Sequence, residues 1–190
     1  MISQILRFLL DTVFGFFVFV LLARFYLQLL RAPFRNPLGQ FVTALTNWLV
    51  LPARRLIPGM FGLDLASLLL AWLAEALLLF LLYLLGPGSI GGASGMVLGI
   101  FFSLALLELA RFSLYLLIGV ILIQAVISWV NPYAPLAPLF NALTSPFLRP
   151  VRRLIPPIGN VDLSPLFVLV AAQLLLILLE HLARSVALLH

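Results

Sequence analysis

The sequence predicts an all-α membrane protein with four transmembrane helices in two direct repeats. Each repeat is a span, an amphipathic interfacial segment carrying proline and arginine, and a second span. Three observations lead there. The first is composition: 64% of the 190 residues are hydrophobic and 9% are charged, with a mean hydropathy of +1.24. Soluble domains run nearer 45–50% apolar and about 25% charged, and no water-soluble fold of this length could hide so much apolar surface, so the solvent is lipid. The second is four apolar runs, each at least the roughly 20 residues that cross a hydrocarbon core of about 30 Å. The third is an internal duplication. Leu45-Thr46 and Leu143-Thr144, Pro52 and Pro150, and Arg54-Arg55-Leu56-Ile57-Pro58 and Arg152-Arg153-Leu154-Ile155-Pro156 align without a gap, and the register continues to Asp64-Leu65 and Asp162-Leu163. Self-similarity of this kind sets the architecture before any single element does.

The first span is expected over about Asp11–Leu30. Two arginines and two prolines within Arg31–Pro37 end it. Met1–Leu30 lacks a small-residue cleavage site and carries Arg24, so it is expected to remain in the mature chain. From Leu38 to Ile57, Phe41, Leu45, Trp48, Leu49 and Leu56 recur at helical spacing, with Thr43, Asn47, Arg54 and Arg55 between them. That pattern is amphipathic. Pro52 should break it into two short helical pieces lying at the acyl boundary. The second span is expected over Leu65–Leu85, with Asp64 as N-cap and Glu75 as its one charge.

A turn-rich, uncharged stretch from Gly86 to Gly95 separates the halves. The domain reading is therefore 1–88 for the first repeat, 89–95 for a Gly-rich extracytoplasmic linker and 96–190 for the second repeat. Met96–Val130 is longer than a bilayer needs, so 96–107 is either a helical extension or a segment lying in the outer interface. Asn131-Pro132 ends this span as Asn36-Pro37 ends the first. The second interfacial segment runs from Leu136 to Ile155, then a turn at Pro156-Pro157 and Gly159. Asp162, Ser164 and Pro165 give a start signal for the last span, Leu166 to about Leu189.

Each half crosses twice, so both halves enter on the same side. This makes a direct repeat about an axis along the membrane normal. Arg31, Arg35, Arg54, Arg55, Arg149, Arg152 and Arg153 then share one face, against Arg7 and Arg184 on the other. The positive-inside rule places that face in the cytoplasm and both termini outside. All eleven basic residues are arginine, and the net charge is +5. Because they cluster beside apolar spans, they read as topology signals and headgroup contacts, with no direct nucleic-acid partner expected. Arg54, Arg55, Arg149, Arg152 and Arg153 are the candidate residues for anionic headgroups or an acidic partner.

Ionisable residues within spans are expensive and usually pair or line water. Depth counting sorts them into two layers. Arg24 and Glu75 are the deeper two, and the expectation is a buried ion pair between them. Arg7, Asp11, Glu108, Arg111, Glu180, His181 and Arg184 fall near the outer ends of their spans, as a charge collar or as the vestibule of a cation path. Glu75 corresponds to Gln173 in the second repeat, which argues against a pore lined equally by both halves.

There is no phosphate loop, zinc-ligand spacing, nucleophile elbow or potassium-filter run. With no cysteine and only His181 and His190, neither metal nor cofactor is expected, and the chain does not read as an enzyme.

Ser128-Trp129-Val130-Asn131-Pro132, Leu143 through Pro157 and Asp162-Leu163-Ser164-Pro165 closely resemble the YggT (YlmG) family of small bacterial membrane proteins, in its two-repeat proteobacterial form. Asn36-Pro37, Pro52 through Pro58 and Asp64 match in the first half. There Trp48 stands where the pattern has Pro, and Ala66-Ser67 where it has Ser-Pro. The second copy fits better, so a partner-reading role is expected there. The resemblance implies a bacterial inner-membrane protein without known enzymatic chemistry. It further implies links to cell division and envelope organisation, to osmotic-stress tolerance with a part in ion uptake, and in plastids to cytochrome maturation and nucleoid distribution. Two functions follow as expectations: a scaffold or assembly factor working with a membrane-protein partner or as a homo-oligomer, or an ion or solute transporter answering osmotic stress.

Overall fold

In the computed structural model the described residues are 1–57, 63–86, 95–131, 133–154 and 162–188. Linker residues 89–94 and the turn expected at Pro156–Gly159 lie outside them. Among the described residues six helices follow one another: α1 Ile2–Leu29, α2 Pro37–Leu56, α3 Leu65–Leu84, α4 Gly95–Val130, α5 Ala137–Leu154 and α6 Ser164–Leu188. No strand occurs among the described residues. Four of the helices, α1, α3, α4 and α6, are long and apolar enough to cross a membrane, which makes this a multi-pass membrane protein. α2 and α5 are the shorter, amphipathic pair.

Each half is a hairpin of spans, α1 on α3 and α4 on α6, and α3 against α4 joins the halves. In lipid, packing and not water exclusion holds spans together, so small residues mark close approach. Ala66, Ala71 and Ala76 of α3 are buried, and Val18, Leu21 and Leu22 of α1 belong to the same core as Ala66 and Ala71. A second cluster gathers Leu27 of α1, Val42 of α2, and Leu139 and Leu143 of α5. The two interfacial helices therefore sit at one end of the bundle, as a direct repeat requires.

Two elements, α1 and α2, differ from the sequence reading, and α4 decides between the two alternatives left for 96–107. α1 begins nine residues earlier than Asp11, and Ile2–Leu10 contains no proline or glycine to interrupt the helix. α4 is one continuous helix, so Met96–Leu107 is an extension of the span and not a separate interfacial piece. Pro52 does not split α2, nor do Pro146 and Pro150 split α5. A proline removes the donor for the carbonyl four residues earlier. Here the rings point outward: Pro52, Pro146 and Pro150 are exposed, and so is Trp48, whose carbonyl Pro52 leaves without its donor. The rings thus lie on the exposed face, while Val50 of α2 and Thr144 and Leu148 of α5 stay buried.

The helix starts follow their signals. Asn36 caps α2, accepting from the Gly39 amide at 2.8 Å, with Pro37 at the first position. Asp64 caps α3 through the Ser67 amide, as expected. α1 ends in a Schellman motif. The Ala32 amide donates to the Leu27 carbonyl and the Arg31 amide to that of Gln28, while Ala32 and Leu27 pack in one cluster. This puts Arg31 at φ 50°, where glycine is the usual occupant.

Candidate functional site

The densest polar arrangement lies where α1, α2 and α3 meet, at the end of the bundle that carries the interfacial helices. Asp64 stands at its centre, with a side chain 1% exposed. Arg54 grips it twice, Nη2 to Oδ2 at 2.6 Å and Nε to Oδ1 at 3.2 Å. Arg24 donates from Nε to Oδ2 at 3.3 Å, and the Ser67 hydroxyl to Oδ2 at 2.6 Å. The second arm of Arg24 is also held. Its Nη1 donates to Thr46 Oγ1 at 2.7 Å and Asn47 Oδ1 at 2.8 Å, while Arg54 Nη2 reaches Gln28 Oε1 at 2.9 Å. Burial opposes ionisation of Asp64, but the donors from Arg54 and Ser67 outweigh it and hold the carboxyl below the usual carboxylate range. The result is a polar clasp tying the two spans of the first repeat to its interfacial helix.

The second repeat builds a lighter version in the same register. Arg152 Nε donates to Asp162 Oδ2 at 2.7 Å, ten residues apart as Arg54 and Asp64 are. The Ser164 amide donates to Oδ1 at 2.9 Å. Burial again opposes ionisation, and Ser164 and Arg152 outweigh it, so Asp162 too is held below its ordinary value. The pair is open, with Arg152 46% and Asp162 33% exposed. The register of Arg24 holds Leu122, and the nearby buried Gln124 of α4 donates through Nε2 to Asn141 Oδ1 of α5 at 2.6 Å.

The expected pairing of Arg24 with Glu75 is not what the structure brings together. Arg24 is taken by Asp64. Glu75 lies eleven residues further along α3, about 16 Å of helix, beyond an arginine's reach from that place. Glu75 belongs with the collar instead: its electrostatic neighbours are Glu108, Asp11 and Arg111. It is 3% exposed, and its Oε2 is buried with no partner among the described residues. The collar itself forms between α4 and α6. Arg111 binds Glu108 at 2.7 Å and Glu180 at 3.8 Å, and Arg184 lies 3.8 Å from Glu180. His181 is exposed and its carbonyl accepts from Ser185, while Arg7 donates to the Leu85 carbonyl at 3.0 Å.

The five candidate surface arginines separate into two kinds. Arg54 and Arg152 are engaged by the aspartates. Arg55, Arg149 and Arg153 are exposed and, among the described residues, make no ion pair. Sequence reasoning missed Thr46, Asn47 and Gln28 as partners of the arginines and took Asp64 only as a cap. The ten-residue Arg…Asp spacing, present in both copies, was the signal. No group of acidic or histidine residues among the described residues has metal-site geometry.

The CCB3/YggT family model matches residues 3–85 and again 103–183, one match for each repeat. An uncharacterised protein of Pseudomonas aeruginosa is 41% identical over 171 residues, covering 88% of this chain and 84% of its own. An uncharacterised protein encoded in the proC 3′ region of Vibrio alginolyticus is 36% identical over 170 residues, covering 88% and 89%. The YggT protein of Escherichia coli K12, also uncharacterised, is 36% identical over 165 residues, covering 85% and 81%. No solved structure matches. With both halves matched and relatives aligned over most of their length, the chain belongs to the CCB3/YggT family.

Proposed function

We propose that this protein is a non-enzymatic scaffold or assembly factor of the bacterial inner membrane. Both termini lie outside, and the basic end of the bundle faces the cytoplasm. The observation that carries the reading is the set of exposed arginines on α2 and α5, Arg55, Arg149 and Arg153, beside two arginines already consumed by internal clasps. Their charge faces outward from helices whose other face is packed, and each such residue near an anionic surface is worth about 1 kcal/mol. Seven arginines in the loops and short helices at this end, against Arg7, Arg111 and Arg184 at the other, support the orientation. An envelope or cell-division assembly is the setting the family resemblance favours.

The test is Arg55→Gln/Arg149→Gln/Arg153→Gln, which leaves both clasps intact. Native mass spectrometry should show loss of co-purified anionic phospholipid, and crosslinking in cells should show loss of protein partners from α5. Unchanged lipid and unchanged crosslinks would sink the reading. A reporter fused at residue 90 that proves cytoplasmic would reverse the orientation.

One observation favours transport as a second reading. Glu75 joins the outer collar electrostatically, so acidic groups of α1, α3 and α4 converge within the span region. Ion flux into reconstituted vesicles that Glu75→Gln abolishes would make transport the leading function. Absence of flux at every osmotic gradient would remove it.

A further inference from the structure

The second clasp opens onto a cavity of about 410 Å³ between α4, α5 and α6, within the range of small-ligand sites. Its polar wall is Gln124, Ser128, Arg152 and Asp162, and its apolar wall includes Leu122, Trp129, Leu148 and Leu166. In the first repeat the matching aspartate is closed over by the Arg24 guanidinium. In the second repeat Leu122 holds the register of Arg24, and among the described residues no arginine of a span covers Asp162. Gln124 spends its amide donor on Asn141, and its Oε1 is buried with no partner among the described residues, on a side chain 7% exposed. A buried acceptor in this state calls for a donor. Arg152 holds Asp162 through Nε alone, so its terminal nitrogens have no partner among the described residues.

We propose that this cavity binds a phospholipid whose headgroup carries a primary ammonium, an ethanolamine phospholipid. The ammonium donates to Asp162 and to Gln124 Oε1. The phosphate takes the terminal nitrogens of Arg152. An acyl chain runs along Leu122 and Leu166 toward the bilayer, beside Trp129. The wall offers two acceptors and one cation, the complement of a zwitterion with N–H donors. A choline headgroup has the same charges but no N–H to give. A phosphatidylglycerol has no cation for the aspartate. The site shares no residue with Arg55, Arg149 and Arg153, so it stands or falls apart from the scaffold reading.

The experiment uses the full chain with Trp48→Phe/Trp72→Phe, leaving Trp129 as the reporter. Reconstituted in phosphatidylcholine vesicles, it is titrated with acyl-brominated phosphatidylethanolamine, phosphatidylcholine or phosphatidylglycerol at matched mole fractions. Brominated phosphatidylethanolamine should quench Trp129 at about tenfold lower mole fraction than brominated phosphatidylcholine, the worth of one charge-assisted hydrogen bond. Gln124→Met, which keeps the volume and removes the acceptor, should narrow that gap, and Asp162→Asn should close it. Equal quenching by the ethanolamine and choline lipids overturns the proposal. So does a preference for phosphatidylglycerol, or a preference that survives both variants.

Discussion

The two halves of this molecule solve the same junction with different amounts of chemistry. In the first, Asp64 is buried under two arginines and a serine, and α1 contributes Arg24 to the clasp. In the second, Asp162 is partly exposed with one arginine, Pro165 stands where Ser67 supplies its amide and hydroxyl, and α4 has apolar Leu122 in the register of Arg24. The same ten-residue Arg…Asp spacing thus makes a structural keystone in one copy and a solvent- or lipid-accessible dyad in the other. Burial decides which. A closed charge network cannot lose one member cheaply, whereas an exposed pair contributes little to stability and remains available to a ligand.

The sharpest way to break this contrast is to remove each aspartate in turn. Asp64→Ala leaves the buried Arg24 facing Arg54 with no carboxylate between them and should cost about 3–5 kcal/mol of stability in detergent, while Asp162→Ala should cost about 0–1 kcal/mol. Equal losses by thermal unfolding would mean that the two clasps do the same work.

Gly39 separates the halves next. A Cβ there would meet the Phe34 carbonyl oxygen at 2.5 Å, a backbone atom that cannot swing away. Its register equivalent is Ala137, so the second half tolerates the extra carbon. Gly39→Ala should cost about 1–3 kcal/mol, whereas Ala137→Gly should act only through the general weakness of glycine in a helix. A Gly39→Ala variant as stable as the parent would show that the turn before α2 yields.

Acid sharpens the same difference. Asp64 has a folded-state pKa below its unfolded value of about 3.9. Its contribution is therefore complete above that value and is lost as pH falls through the folded one. Melting temperature should drop on acidification below about pH 4, and Asp64→Asn should flatten the drop more than Asp162→Asn. The reverse ranking would assign the acid sensitivity to the second clasp.

Two smaller effects test single positions. Arg31→Gly should stabilise by about 1 kcal/mol, because φ 50° strains any residue with a Cβ. No gain would mean that the arginine makes contacts that offset the strain. Glu75→Gln should leave stability nearly unchanged, since Glu75 has no cation bound to it among the described residues. A loss on the scale of a broken buried pair would restore the intramembrane salt bridge that the sequence suggested.

What could be read beforehand divides along a physical line. Properties that depend on one segment were legible: the four spans, the Asp64 cap and the duplication all follow from local pattern, although Asn36-Pro37, read as the end of the first span, instead starts α2 while α1 ends at Leu29. Properties that depend on how segments cross were not. Arg24 and Glu75 look like partners when depth is counted along separate helices, but the crossing of α1 on α3 delivers Arg24 to Asp64. The prolines of α2 and α5 misled for a related reason. Their cost depends on which way the ring faces, and that is fixed by packing against the spans. The surface arginines were half legible, because their residue type announces an interface but not which of them an aspartate takes.

The unbroken length of α4 has one more consequence. Its apolar part, Gly99–Val130, has 32 residues, about 48 Å of rise. Upright, it would overrun the hydrocarbon of an ordinary bilayer by roughly 18 Å, an excess taken up by leaning, by thicker lipid or by turns that stand beyond the hydrocarbon. The Glu108–Arg111 pair lies toward that far end. α6, packed along α4, has 25 residues against 36, so the surplus belongs to one rod of the second half and not to its partner.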